Sequence, residues 1–136
     1  MKKHTFLALT KCGMCIKCPE WLGYWKWENN TIKMYCKDGR IIDIRESEDI
    51  KYTIGFILRD DWKIMSESAA RKILDNRERI KELIRIIDIN QTVISNGEDN
   101  LQEISNALKI IEDAKKELDE YGYNYQEKYK EWILND

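Results

Sequence analysis

Three cysteines stand at a spacing of three, Cys12, Cys15 and Cys18, with Pro19 behind them and Cys36 further along. Thiolates at such spacing can hold zinc or part of an iron–sulfur cluster, and Cys-x2-Cys-x2-Cys-Pro echoes an iron–sulfur run that lacks its fourth cysteine. The local structure expected here argues against convergence. Residues 14 to 18 read as a strand, so Cys15 and Cys18 point to opposite faces. Cys36 shares a face with Ile32 and Met34, which suits a small core residue. The expectation is buried or incidental thiols, with no metal and no cofactor.

Trp21, Trp25, Trp27 and Trp62 are dense for a stretch of 65 residues. Trp25 and Trp27 alternate on one strand face, whereas Trp21 follows Pro19 on a loop. A loop indole can stack on a nucleobase, and it can equally fill a core; both readings stay open for Trp21. The single histidine, His4, assembles no nucleophilic triad. Asp43, Glu46, Glu48, Asp49, Asp60 and Asp61 could supply an acid–base pair, but carboxylates are common in a chain that is 35% charged, and a solvated surface is the plainer reading. No phosphate-binding glycine loop or zinc-protease motif is present. The expected catalytic set is empty.

These residues need elements to position them. The net charge of −2 lacks the cationic footprint of a duplex nucleic-acid binder. No apolar run has the length of a membrane span, and "MKKHTFLALT" lacks a signal-peptide core. Cysteines in such a chain belong in a reducing, cytoplasmic compartment. Composition changes near Ser66: residues 1–65 hold the only proline, four of six glycines and four of five tryptophans. In that first part "FLALTKCG" reads as a helix ended by Gly13. "MCIKC", "GYWKWE", "TIKMYC" and "RIIDIR" read as strands, with Asn29-Asn30 and Asp38-Gly39 as hairpin turns, the latter a two-residue signal. "YTIGFILRD" follows as a short helix with Thr53 as N-cap, and "DWKIM" as a last strand. The expected fold is α+β, a small antiparallel meander with one buried face in residues 1–65 and an α-helical hairpin in 66–136. In the hairpin Ile73, Ile80, Ile87 and Ile94 recur every seven residues, with Leu83 and Ile84 filling the stripe. After the Asn96-Gly97 break, Leu101, Ile104, Leu108, Ile111, Leu118, Tyr125, Tyr129 and Trp132 continue it. Two antiparallel helices bury little alone, so the stripe calls for a partner, the sheet module or a second chain.

"ALTKCGMCIKCPEWLG", "KDGRIIDI" and "TIGFILRDDWKIM" together resemble the second Thoeris anti-defence family of small phage proteins, over about residues 5–65. Members of that family are sponges that sequester the cyclic ADP-ribose signal of the host's Thoeris defence, and some hold cyclic dinucleotides. The resemblance implies a compact α+β protomer in the host-cell cytoplasm, assembled as a dimer or tetramer, with ligand pockets at subunit contacts. It matches Trp21 to the family's loop tryptophan, and Asp61 and Trp62 to its closing Asp-Trp. The family commonly carries a basic residue three before the loop tryptophan; Cys18 stands there, so phosphate contacts fall to Lys17, Lys26 or Arg45. Tyr24 and Trp25 complete the ligand set so implied. The helical region after residue 66 is not part of that pattern. Two other classes fit the chain: an interaction protein that uses the helical hairpin to bind a host protein, and a hydrolase of the same signal using Asp43, Glu46 or Asp61.

Overall fold

The computed structural model describes residues 1–97 and 100–134. The chain divides into two compact units, Met1–Asp75 and Asn76–Asp136.

The first unit opens with helix α1 (Lys3–Lys11), closed by Cys12 and by Gly13 at φ 67°, a left-handed position that favours glycine. Strands β1 (Cys15–Lys17), β2 (Tyr24–Glu28), β3 (Thr31–Tyr35) and β4 (Ile41–Asp43) follow, then a turn of 3-10 helix at Ile44–Glu46, helix α2 (Ile50–Ile57), strand β5 (Lys63–Met65) and helix α3 (Glu67–Asp75). The sheet is antiparallel throughout, in the order β4-β3-β2-β1-β5: a meander whose last strand returns to pair with the first.

The two hairpins use different chemistry. Asn29 and Asn30 both take positive φ, 55° and 60°, which is the two-residue turn that matches strand twist. At Asp38-Gly39 the loop has three residues rather than two. The Gly39 N–H donates to Cys36 O at 2.9 Å, and the Cys36 N–H donates to Arg40 O at 2.8 Å. Gly39, at φ 89°, supplies the left-handed residue that such a loop requires. The cap of α2 also differs from expectation. Asp49, not Thr53, accepts from the Tyr52 N–H at 2.9 Å, and the helix begins three residues before Thr53. Thr53 lies inside the helix, where its hydroxyl donates to Asp49 O.

The sheet is buried on both faces at its centre, not on one. Ile16 and Trp25 pack with Leu9, Cys18 and Trp62, joined by Ile32, Met34, Phe56 and Ile57. On the opposite face Cys15 and Tyr24 pack with Ala70 and Leu74 of α3, and with Tyr35 and Met65. Hence the unit ends at Asp75, ten residues beyond the composition boundary at Met65. α3 has helical, charge-rich composition, but its apolar side covers the second sheet face. One apolar row, Ile64–Ile16–Trp25–Met34–Ile42, runs through register partners across all five strands. Gly23 lets β2 approach β3: a Cβ there would lie 2.0 Å from Tyr35 O.

The second unit contains α4 (Arg77–Asn96), α5 (Leu101–Glu120) and α6 (Lys130–Leu134). α4 buries Ile80, Leu83, Ile84 and Ile87, as its spacing implies. The buried seam of α5 is Ala107, Ile111, Ala114 and Leu118. Leu101 and Leu108, expected in the seam, are 79% and 55% exposed. Alanine carries little hydropathy, so the leucines drew the stripe one position off, whereas small side chains are what let two helices approach. α5 also stops earlier than the periodicity suggests. Gly122 (φ 79°) donates to Asp119 O and Tyr123 to Leu118 O, the paired bonds of a glycine-terminated helix end. The chain then returns as α6, where Lys130 pairs with Asp88 of α4 at 2.9 Å. Glu112 and Lys116 form an i, i+4 pair at 3.7 Å on the outer surface.

Gly23→Ala is expected to lower stability by about 3 kcal/mol, because backbone rather than a flexible side chain must yield. Ile87→Asp is expected to cost several kcal/mol, since it places a charge where exposure is zero. Urea unfolding followed by circular dichroism measures both.

Candidate functional site

The structure gathers three of the expected ligand residues, Trp21, Trp25 and Trp62. Trp21 meets Trp25 at 5.6 Å between ring centroids, Trp62 at 5.1 Å edge-on, and Phe56 of α2 at 4.9 Å edge-on. Trp62 also packs on Trp25 at 4.8 Å, and its indole N–H donates to Phe56 O at 3.1 Å. Edge-to-face and tilted arrangements set the positive ring edge against the negative face, which suits each ring to its neighbour. Trp21 is therefore less a free loop indole than the half-buried member of an aromatic cluster, with Trp25 and Trp62 buried behind it. α2 supplies Phe56, and β5 begins directly after Trp62, so the short helix before Asp61-Trp62 serves to seat that indole.

Beside the rings lies a charged knot that sequence reasoning missed. Arg59 holds the buried Glu20 through both carboxylate oxygens, donates to Asp61 at 2.9 Å, and stands over the Phe56 ring at 5.5 Å. Glu20 needs this partner, because a buried carboxylate without a cation is costly. The only local signals were Arg59 two residues before Asp61, and Glu20 directly before Trp21; nothing in the chain order ties residue 59 to residue 20. Asp61 is thus engaged by Arg59 at the surface of the cluster.

The remaining expected residues stand elsewhere. Tyr24 is on the opposite sheet face, stacked on Tyr35 at 4.7 Å with an 8° interplanar angle. Arg45 follows β4 and is committed to Asp43, with Nη2 to Oδ2 at 2.6 Å. Lys26 pairs with Glu67 of α3 at 2.9 Å, which Arg71 also reaches at 3.1 Å. Lys17 is buried on β1 directly across from Lys63 of β5. Burial, and then the Lys63 charge, lower its pKa to about 8. These four do not join the indoles in one site.

Asp43, the first carboxylate considered for hydrolysis, is buried and fully engaged. Thr31 Oγ1 donates to it at 3.0 Å, the Arg45 N–H at 2.9 Å, and Lys33 stands at 3.5 Å. The Arg45 guanidinium, together with that backbone N–H, holds its carboxyl well below the usual range. It caps the 3-10 turn and locks the β3–β4 corner, a structural office. Glu46 is exposed in that turn.

Cys15 and Cys18 fall in the two different core clusters, as strand alternation implies. Burial pushes their pKa values to about 11 and 12, so both are thiols at neutral pH. Cys12 is exposed, and Cys36 is half-buried with its thiol 3.6 Å from Met34 O. Among the described residues no three His, Cys, Asp or Glu side chains stand together as metal ligands, and no helix is long and apolar enough to cross a membrane. A shallow cavity of about 490 Å³ lies in the second unit between α4 and α5, lined by Asn90, Asn100, Glu103 and Asn106 together with Val93, Ala107 and Ile110. None of the expected ligand residues lines it.

Trp21→Ala is expected to destabilise the fold by roughly 2–4 kcal/mol, somewhat below the cost of truncating a fully buried indole; chemical denaturation reads this. Lys17 gives a signature in pH. Its folded pKa lies below its unfolded one, so the unfolded chain binds more protons between about pH 8 and 10.5. Stability from this group therefore rises with pH across that window and is lost as pH falls through 8. The buried cysteines act oppositely above pH 9. The difference between wild type and Lys17→Met isolates the lysine: the variant is expected to be relatively more stable at pH 7, with the gap closing toward pH 10. No known protein family, curated protein or solved structure matches the chain.

Proposed function

We propose that the chain binds a cyclic nucleotide signal, a cyclic ADP-ribose isomer or a cyclic dinucleotide, and sequesters it uncleaved in the host cytoplasm as a phage anti-defence sponge. The resemblance of residues 5–65 suggests the class. The observation that carries it furthest is the half-buried indole of Trp21, set in one cluster with Trp25, Phe56 and Trp62. An aromatic surface of this kind suits the stacking of a base. The carboxylates best placed for acid–base work support binding over cleavage, because Asp43 is tied to Arg45, and Asp61 to Arg59. Holding a ligand without chemistry needs such a surface and no poised base. A homo-oligomer, in which a second subunit contributes to the pocket, belongs to the same reading.

A second reading has its own observation. Ile89, Leu101, Leu108 and Ile110 of α4 and α5 are exposed, which suits a helical unit that docks a host protein.

The test is a thermal-shift panel of cyclic ADP-ribose isomers and cyclic dinucleotides, followed by mass spectrometry of ligand released by heating. One panel member is expected to raise the melting temperature in a dose-dependent way and to return intact. Recovery of a linear product would favour the hydrolase. No shift with any member, together with nucleotide-independent capture of one host protein, would favour the docking reading.

A further inference from the structure

Two pairs in the sequence set a side-chain carbonyl directly before a glycine, Asp38-Gly39 and Asn96-Gly97. A glycine nitrogen can turn back on such a carbonyl without the crowding of a side chain. The fold treats the two pairs differently. Asp38 Oδ1 accepts from the Arg40 N–H at 3.0 Å and its Oδ2 from Arg40 Nε at 2.6 Å, while the Gly39 N–H donates to Cys36 O at 2.9 Å. Both reacting groups of that pair are occupied. Asn96 is the last residue of α4, is exposed, and makes no side-chain hydrogen bond among the described residues. The N–H that caps α1 donates to Ala8 O, that of α2 to Ile54 O and that of α5 to Leu118 O, whereas the Gly97 N–H that ends α4 has no such partner among the described residues. Packing holds the glycine in place: a Cβ at Gly97 would lie 2.9 Å from Val93 O and 3.3 Å from Ile104 Cγ1.

We propose that Asn96 is a site of spontaneous covalent modification in the folded chain, converted to isoaspartate or aspartate through its own backbone. The Gly97 nitrogen gives its proton to hydroxide and bonds to Asn96 Cγ. The bond from Cγ to Nδ2 breaks, and that nitrogen takes a proton from water and leaves as ammonia. The resulting five-membered succinimide is opened by a second water at either carbonyl, which leaves one carboxylate and, on the isoaspartyl route, one extra methylene in the backbone. No redox partner, metal or ligand enters, so the reaction stands apart from the nucleotide reading. The site gives it a consequence. The new charge falls in the last turn of α4, where the helix dipole disfavours an anion and where no basic residue stands to offset it. The lengthened backbone falls at the joint with α5, whose cap Asn100 takes its backbone bond from Gly97 O at 2.8 Å. Modification therefore loosens the α4–α5 connection with age.

The test is peptide mapping by mass spectrometry after about two weeks at about pH 8 and about 37 °C, on the folded chain and on the chain in urea. In the folded chain residue 96 is expected to gain about 1 Da at least about tenfold faster than Asn90, Asn100 and Asn106, with fragmentation showing the isoaspartyl backbone. Isoaspartate at residue 38 is expected in urea and not in the folded chain. Asn96→Gln, whose longer side chain would have to close a larger ring, should block the gain at residue 96 and keep the wild-type melting temperature. Asn96→Asp, which fixes the charge at once, should lower the melting temperature by a few degrees. A folded chain in which residue 96 converts no faster than Asn90, Asn100 and Asn106 overturns the proposal. So does isoaspartate forming at residue 38 as fast as at residue 96 in the folded chain. An Asn96→Asp chain as stable as wild type overturns the consequence for α4.

Discussion

β1 has no side that can face water. All three of its residues are buried, and it lies between β2 and β5 in the sheet. A strand buried on both faces demands cover from both sides, and the first unit is arranged around that demand. α1 and α2 cover one face with Leu9, Phe56 and Ile57, while α3 covers the other with Ala70 and Leu74. The same demand explains why β5 returns across the sheet to pair with β1 instead of extending the meander at β4. It also explains why a helix with hairpin-like composition belongs to the sheet.

Burying charge imposes the second constraint. Glu20 and Asp43 are both nearly inaccessible; Arg59 meets the first through both oxygens, and Arg45 with Thr31 meets the second. Such pairs are weak evidence of net stability, because desolvation offsets much of the attraction. They do specify geometry: Arg59 ties the end of α2 to the loop before Trp21, and Arg45 ties the end of β4 to β3 through Asp43, Thr31 and Lys33. The indole cluster is thus held between two elements far apart in sequence.

The second unit follows a simpler rule. Its three helices meet along isoleucine and leucine on α4 and along alternating alanine and large aliphatic residues on α5. Large residues on one helix opposite small ones on the other let the two helices approach closely along the buried seam.

Local signals were readable from the sequence wherever the physics is local. β-branched and aromatic content located all five strands, Asn29-Asn30 and Gly39 marked the turns, Gly13 marked the end of α1, and strand parity put Cys15 and Cys18 on opposite faces. In each case the backbone preference or side-chain alternation of a few neighbouring residues decides the outcome. Of the candidate site, the closeness of Trp62 to Trp21 was foreshadowed only by the family-like motif order. What tertiary structure alone decided was every feature that joins distant residues. It put Arg59 on Glu20, turned Trp21 inward against Phe56, and placed Tyr24 and Arg45 away from the indoles. It assigned α3 to the sheet, and it chose Ala107 and Ala114 over Leu101 and Leu108 for the seam. Hydropathy ranks single side chains, whereas burial depends on which surface arrives opposite them, and that surface comes from elsewhere in the chain.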